Sequence, residues 1–311
     1  MSRVAAIDCG TNSIRLLVAD TAGGRLVDVL RRLEIVRLGQ GVDRTGRLAP
    51  EAIERTRRAL AGYAGQIREL GADRVRMVAT SATRDAANRD DFRTMVLDTL
   101  GAEPEVITGQ EEAALSFAGA VRGLASAAAG AEAAVEAPYL VADIGGGSTE
   151  LVLGSVEVDA ATSVDVGCVR LTERHLAADP PTAVQIKAAE ADVLAAIEQA
   201  RAAVPVDRAR TFIGLAGSVT TVAAIALDLP EYDSARIHHS RIPAERVRVV
   251  ADRLLTMTRS ERAALPVMHP GRVDVIGAGA LVLRVLVDEL HIAEVVVSEH
   301  DILDGIAWSI S

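Results

Sequence analysis

Apolar residues recur along this chain at two spacings, one of about two residues and one of three to four. The run Arg3–Asp8 is a short apolar strand, and an alternating run over Ile14–Asp20 follows the polar tetrad Gly10-Thr11-Asn12-Ser13, so the opening predicts a β-hairpin. Arg25–Leu38 continues as strand. Pro50 sits where it favours a first helical turn, and Ile53, Leu60, Tyr63 and Ile67 share one face of a helix running to about Leu70. Strand Val75–Ala79, helix Asp91–Leu100, strand Glu105–Thr108 and a helix over about Gln110–Val121 follow. Strands alternating with helices predict an α/β fold.

The stretch Leu124–Pro138 is low-complexity Ala, Gly and Glu, which predicts a solvated connection between two halves. Beyond it the pattern restarts. Strands over Tyr139–Asp143, Ser148–Leu153 and Val156–Val166 precede helices near Val169–Leu176 and Thr182–Ala203. Strand Thr211–Leu215, a helix from Ser218, helices Pro243–Met257 and about Asp274–Leu290, strand Glu294–Val297 and a helix from Asp301 complete the reading. Asp8-Cys9-Gly10-Thr11-Asn12-Ser13-Ile14 set above Asp143-Ile144-Gly145-Gly146-Gly147-Ser148-Thr149 matches Asp, Gly and Ser at fixed spacing before an apolar strand. Such an internal repeat predicts two similar hairpin-led domains, over residues 1–123 and 138–300, with an interdomain cleft between them.

Composition narrows the function classes. A chain of 311 residues, half of them apolar, has material for two packed cores and predicts a soluble globular protein. A net charge of −10, from 33 basic and 43 acidic residues, argues against holding duplex nucleic acid by broad backbone neutralisation. Any polyanion must then be gripped locally; Lys187 is the one lysine, and although the planar fork of arginine matches phosphate oxygens two at a time, an Ala- and Arg-rich composition equally reflects codon bias. Two cysteines, Cys9 and Cys168, make no disulfide framework and lack metal-ligand spacing, which predicts a reducing, cytoplasmic setting. The N-terminus enters a strand without a signal-peptide pattern, and Gly214–Leu229 is too short and polar to span a membrane, so no membrane partner is expected.

The candidate chemistry lies in the turns. A Gly-rich turn lets N–H groups converge on an anion, and Asp8 and Asp143 sit where a strand enters each turn, able to hold Mg²⁺ directly or through water. The plain alternative is a pair of tight hairpins with local hydrogen bonds. Thr80-Ser81-Ala82-Thr83-Arg84 follows a strand, with Thr80 or Ser81 expected as a helix N-cap, and Arg84 and Asn88 are placed on one helix face where Arg84 can reach phosphate. Gly109-Gln110-Glu111-Glu112-Ala113 opens a helix. The dipole accounts for one of the two glutamates, and the second suits orienting or deprotonating a water. Gly217 and Ser218 form a third strand-to-helix turn. Gly277-Ala278-Gly279 serves close helix packing or the approach of a nucleotide base. His238, His239 and His269 read as surface or loop residues, with Arg272 beside them as a candidate ligand contact. No Ser or Cys triad is legible.

These residues together resemble the exopolyphosphatase and guanosine pentaphosphate phosphohydrolase (Ppx/GppA) family, as a short, two-domain, actinobacterial-type member. The resemblance rests on Asp8–Ser13 with Arg15, Thr80–Arg84 with Asn88, Gly109–Ala113 and Asp143–Glu150. It continues through Gly167–Glu173, Ala216–Thr221 and Ser298–Gly305. It implies the two-domain actin-like, ribonuclease H-like fold of the sugar kinase, heat-shock chaperone and actin superfamily, with the last helix, 301–311, packing back on the first domain. It implies hydrolysis of a terminal phosphate. By motif, Glu112 would be the base, in preference to Glu111. Asp143 and Glu150 would position Mg²⁺, with Mn²⁺ as the alternative ion, and the attacking water. Asp8 would support the metal through water. Asn12, Ser13, Arg84, Gly145, Gly146, Gly147 and Ser148 would bind phosphates, with Gly217 and Ser218 beside them. The resemblance also implies homodimerisation.

Longer members carry a further helical domain that helps build a basic channel, and its absence here points to short-chain inorganic polyphosphate as substrate. Guanosine pentaphosphate (pppGpp) is the alternative. Three Phe, three Tyr and one Trp leave few residues to stack a base, which leans toward polyphosphate. An actin-like ATPase or sugar kinase would need an acceptor-activating Asp, whereas the Glu112 motif suits water. A non-catalytic phosphate sensor gains nothing from carboxylates facing an anion.

Overall fold

The computed structural model describes residues 2–23, 25–127 and 135–311. The chain divides into two units: Met1–Gly119 with Ile302–Ser311, and Ala120–Asp301.

Unit 1 holds strands β1 (Ser2–Cys9), β2 (Ser13–Ala22), β3 (Arg25–Ile35), β4 (Arg74–Ala79) and β5 (Glu105–Val106). They lie in the order β3-β2-β1-β4-β5. The hairpin strands pair antiparallel, and β4 and β5 add in parallel. Unit 2 holds β6 (Tyr139–Ile144), β7 (Thr149–Gly154), β8 (Val158–Val164), β9 (Thr211–Leu215), β10 (Arg241–Pro243) and β11 (Glu294–Val297), in the order β8-β7-β6-β9-β11-β10. Apart from the edge strand β10, the second order repeats the first strand for strand. The α/β actin-like architecture implied by the resemblance is the one the chain adopts.

Side-chain alternation along β1 sorts its residues between two cores. Ala5, Ile7 and Cys9 pack with Leu60, Tyr63 and Phe92, brought by helices Pro50–Leu70 and Arg89–Leu100. Val4 and Ala6, on the other face, pack with Leu17, Ala19 and the last helix, Ile302–Ser309. That helix contributes Ile302, Leu303, Ile306 and Ala307, each large apolar side chain adding about 1.5–3 kcal/mol on burial. Two further contacts fix it. Arg31 on β3 donates to both carboxylate oxygens of Asp304, at 2.6 and 3.3 Å. A Cβ on Gly305 would stand 2.0 Å from the Leu115 carbonyl oxygen, so the two helices meet at van der Waals contact only because no side chain intervenes.

In unit 2, helix Ile276–Glu289 is buried over nearly its whole length. Within its buried run Arg284 is half-buried, held by Glu190 at 2.8 Å and Asp252 at 2.6 Å. Gly279 lies against Ser218, where a Cβ would approach the hydroxyl to 2.1 Å, so the Gly277–Gly279 segment serves close packing.

Several local expectations are corrected. Helix Gly109–Ala127 runs well past Val121, into the stretch read as a connection, because its Ala-rich sequence has high helix propensity; residues 128–134 of that stretch lie outside the described residues. Thr80 makes no side-chain cap to the short helix Ser81–Asp85; Ser81 instead shares a hydrogen bond with Thr11 at 2.9 Å. Arg84 and Asn88 do not share a helix face, since that helix ends at Asp85 and Asn88 precedes the next, bonding both the N–H and the carbonyl of Leu48. Among the described residues no helix is long and apolar enough to cross a membrane.

Candidate active site

Each unit carries one group of the expected site residues. In unit 1 the β1–β2 turn is closed by the Gly10 N–H on the Ser13 carbonyl, at 2.9 Å, which puts Asn12 at its tip and Ser13 at the start of β2. Asp8 is buried and stands directly across the ladder from Arg15. Arg15 donates to Asp8 Oδ2 from Nη2 at 2.6 Å and Nε at 3.0 Å, so this carboxylate is compensated by a fixed cation.

The two adjacent glutamates differ in what holds them. Glu111 accepts from the N–H and the hydroxyl of Thr108, both at 2.9 Å, and these bonds hold its carboxyl below the usual range. It closes a capping box and is committed to the helix end. Glu112 is 8% exposed, and Arg84 Nη1 donates to its Oε2 at 3.1 Å and to the Ile107 carbonyl at 3.1 Å. Arg84 thus holds the buried Glu112 carboxyl in place. Of the two adjacent glutamates, Glu112 is the one that Arg84 holds.

In unit 2 the β6–β7 turn repeats the closure, Gly145 N–H to Ser148 carbonyl at 3.0 Å. Asp143 and Glu150 are ladder partners, so their side chains leave the same face, opposite the one whose Leu140, Ala142 and Ile144 enter the core. They are 7% and 1% exposed, and Ser163 donates to Glu150 at 2.7 Å. Arg15 of unit 1 and Glu150 of unit 2 thus occupy equivalent places in the repeat. Across the ladder from the aspartate stands an arginine in one hairpin and a second carboxylate in the other.

Among the described residues no set of three or more His, Cys, Asp or Glu side chains is disposed to hold a metal. Two buried carboxylates on one face still fit Mg²⁺, which keeps several waters and commonly takes one or two carboxylates plus phosphate oxygens.

The third turn follows β9. Ala216 adopts φ of 67°, which costs a non-glycine residue about 1–2 kcal/mol. Arg272 lies over Gly217, where a Cβ would stand 2.5 Å from its guanidinium carbon, and donates to Thr221 at 3.0 Å. The Ser218 hydroxyl faces Gly279 and the Cys168 thiol, so this turn offers a ligand its backbone rather than the hydroxyl. Nearby, Tyr232 lies within hydrogen-bond distance of Glu299, at 2.6 Å, and of Thr220, at 2.8 Å. Residues so far apart in sequence gave no signal of meeting.

His238 and His239 lie in the turn after helix Ser234–Ile237, as loop residues, and are half-buried. Their rings stack at 3.7 Å, and His300 packs on His238 at 4.5 Å. Burial pushes both cysteine thiols up, which leaves neither as a nucleophile.

Comparison with known proteins gives a consistent result. The sequence model of the Ppx/GppA phosphatase family matches residues 17–310. The chain is 55% identical to a Mycobacterium tuberculosis protein named Exopolyphosphatase 2, over 100% of this chain and 99% of that one. The solved structure of an exopolyphosphatase-like protein superposes with a TM-score of 0.94 at 43% identity, covering 100% of this chain and 98% of the other. The Aquifex aeolicus member of the Ppx/GppA family superposes with a TM-score of 0.80 at 30% identity, covering 99% and 97%.

Proposed function

The chain belongs to the Ppx/GppA phosphatase family, and from that premise we propose that it is an exopolyphosphatase, releasing orthophosphate from the end of inorganic polyphosphate. The observation that carries the reading is the buried Glu112 carboxylate held by Arg84, in a chain that also carries two hairpin turns with Asp, Gly and Ser at matching places.

In this reading Glu112 takes a proton from water as the water oxygen attacks the terminal phosphorus. The bond from that phosphorus to the bridging oxygen breaks, and the oxygen becomes the new chain end. Within unit 1, Asn12, Ser13 and Arg84 are assigned to phosphate oxygens, and within unit 2, Gly145, Gly146, Gly147 and Ser148, with the backbone of Gly217 and Ser218 as a further donor group. In unit 2, Asp143 and Glu150 would hold a divalent ion, Mg²⁺ or Mn²⁺; in unit 1, Asp8 is assigned a water-mediated metal contact. When bound, that ion supplies charge neutralisation for the phosphates.

A net charge of −10 disfavours long-range attraction of a large polyanion, which supports short chains as substrate. The test is phosphate release by purified protein with Mg²⁺ from tripolyphosphate, long-chain polyphosphate, pppGpp and ATP. Release from tripolyphosphate well above the others is expected. Release from pppGpp alone would replace the substrate, and no release from any would remove the reading.

A further inference from the structure

The segment Gly167–Glu173 entered the family resemblance without a role, and the geometry gives it one. The three carbonyls of the Gly145–Gly147 turn are each taken by helix Cys168–His175. The Cys168 N–H donates to Gly145 O at 3.0 Å, and the N–H groups of Val169 and Arg170 donate to Gly146 O at 2.8 and 3.1 Å. The Arg170 Nε donates to Gly147 O at 2.7 Å. A trans peptide points its C=O and N–H in opposite directions. Drawing three successive carbonyls toward one helix therefore turns the N–H groups of Gly146, Gly147 and Ser148 to the other side, as an anion-binding nest requires.

Unit 1 uses a comparable device. The carbonyl of Thr11 accepts from the Gly39 N–H at 2.8 Å, and that of Asn12 from Val36 and Arg37 at 3.1 and 2.9 Å. Again the segment after the third hairpin strand takes the carbonyls of the turn. Both segments pass at contact distance over a glycine: a Cβ on Gly39 would stand 2.3 Å from Thr11 Cγ2, and one on Gly167 would stand 2.6 Å from the Gly146 carbonyl.

We propose that Arg170 is a positioning residue for the phosphate-binding turn of unit 2, its guanidinium fixing the Gly147–Ser148 peptide so that the turn presents its N–H groups to phosphate. The inference rests on the exopolyphosphatase reading. Arg170 acts through the backbone and does not touch the substrate. Its ion pair with Asp165 is long, at 3.9 Å, and Asp165 is largely exposed, so that pair is secondary to the carbonyl.

The test compares Arg170→Gln, Arg170→Lys, Gly167→Ala and Asp165→Asn with the parent protein. It follows tripolyphosphate hydrolysis, tripolyphosphate binding by calorimetry, and thermal unfolding. Losing a charged donor to a carbonyl is expected to raise KM and Kd about tenfold in Arg170→Gln, with a much smaller change in kcat and little change in Tm. Arg170→Lys restores part of the affinity, because an ammonium can donate to the same carbonyl. Gly167→Ala weakens binding at least as much, and Asp165→Asn leaves it unchanged. Unchanged KM and Kd in Arg170→Gln, a loss confined to Tm, or an equal loss in Asp165→Asn would overturn the proposal while leaving the exopolyphosphatase reading intact. A parent protein that neither binds nor hydrolyses tripolyphosphate would overturn both.

Discussion

Glu150→Gln should make the metal-free protein more stable and its function worse. Asp143 and Glu150 face each other across the ladder, both buried, with Cβ atoms about 5 Å apart in such a pair. Two unit charges at about 5 Å and an effective dielectric near 20 repel by about 3 kcal/mol. The carboxylates reach beyond their Cβ atoms, Ser163 donates to Glu150, and both acids have further partners, so the relief expected from removing one charge is cut to about 1–2 kcal/mol. For a unit of this size that corresponds to a rise in Tm of roughly 3–6 °C. The assay is thermal unfolding by circular dichroism in a chelator and again in Mg²⁺. In the chelator the variant melts higher than the parent. In Mg²⁺ the parent gains stability by mass action and the variant does not. A variant that melts lower without metal, or that gains as much from Mg²⁺ as the parent, would refute the reasoning that this acid pair is a strained metal site.

Three further outcomes follow from the same geometry. Asp304→Ala leaves Arg31 without its main partner at the docking face of the last helix and is expected to cost about 2–3 kcal/mol, read by urea unfolding; a loss below about 0.5 kcal/mol would remove the pair from the account. Arg84→Ala is expected to raise KM and lower kcat together, since the side chain both meets phosphate and holds Glu112, and unchanged kinetics would remove it from the site. Burial, aided by His300, pushes His239 below its ordinary value of 6.5. The folded state therefore binds fewer protons there than the unfolded state, and stability present above about 6.5 is lost as pH falls through the lower folded value. His239→Gln should flatten that acid limb of a stability–pH curve, and an unchanged limb would place the loss elsewhere.

What was legible in the sequence were features written in consecutive residues. The two turns were visible because Asp, Gly and Ser recur at one spacing, and helix Pro50–Leu70 because Pro50 opens it and an apolar stripe follows. The arrangements that orient these elements join residues far apart in sequence. Asp8–Ser13 and Asp143–Ser148 look alike, yet the charge across the ladder is Arg15 in one and Glu150 in the other, a difference only the strand register brings out. Thr80 looked like a cap because of its place after a strand, but a cap also depends on backbone angles, and Thr80 lies outside the usual extended region. The spacing of Arg84 and Asn88 suits one helix, but helix Ser81–Asp85 ends before Ala86 and the next begins at Arg89. The carbonyls of the phosphate turns carry no sequence signal, and their partners come from the segments that follow β3 and β8.

Whether Glu112 is the base of a phosphoanhydride hydrolysis is read directly from phosphate release from tripolyphosphate by the parent and by Glu112→Gln, with tripolyphosphate binding measured on both. A rate lower by about 100-fold or more is expected in the variant, with binding retained. A variant that turns over at close to the parent rate would contradict that role.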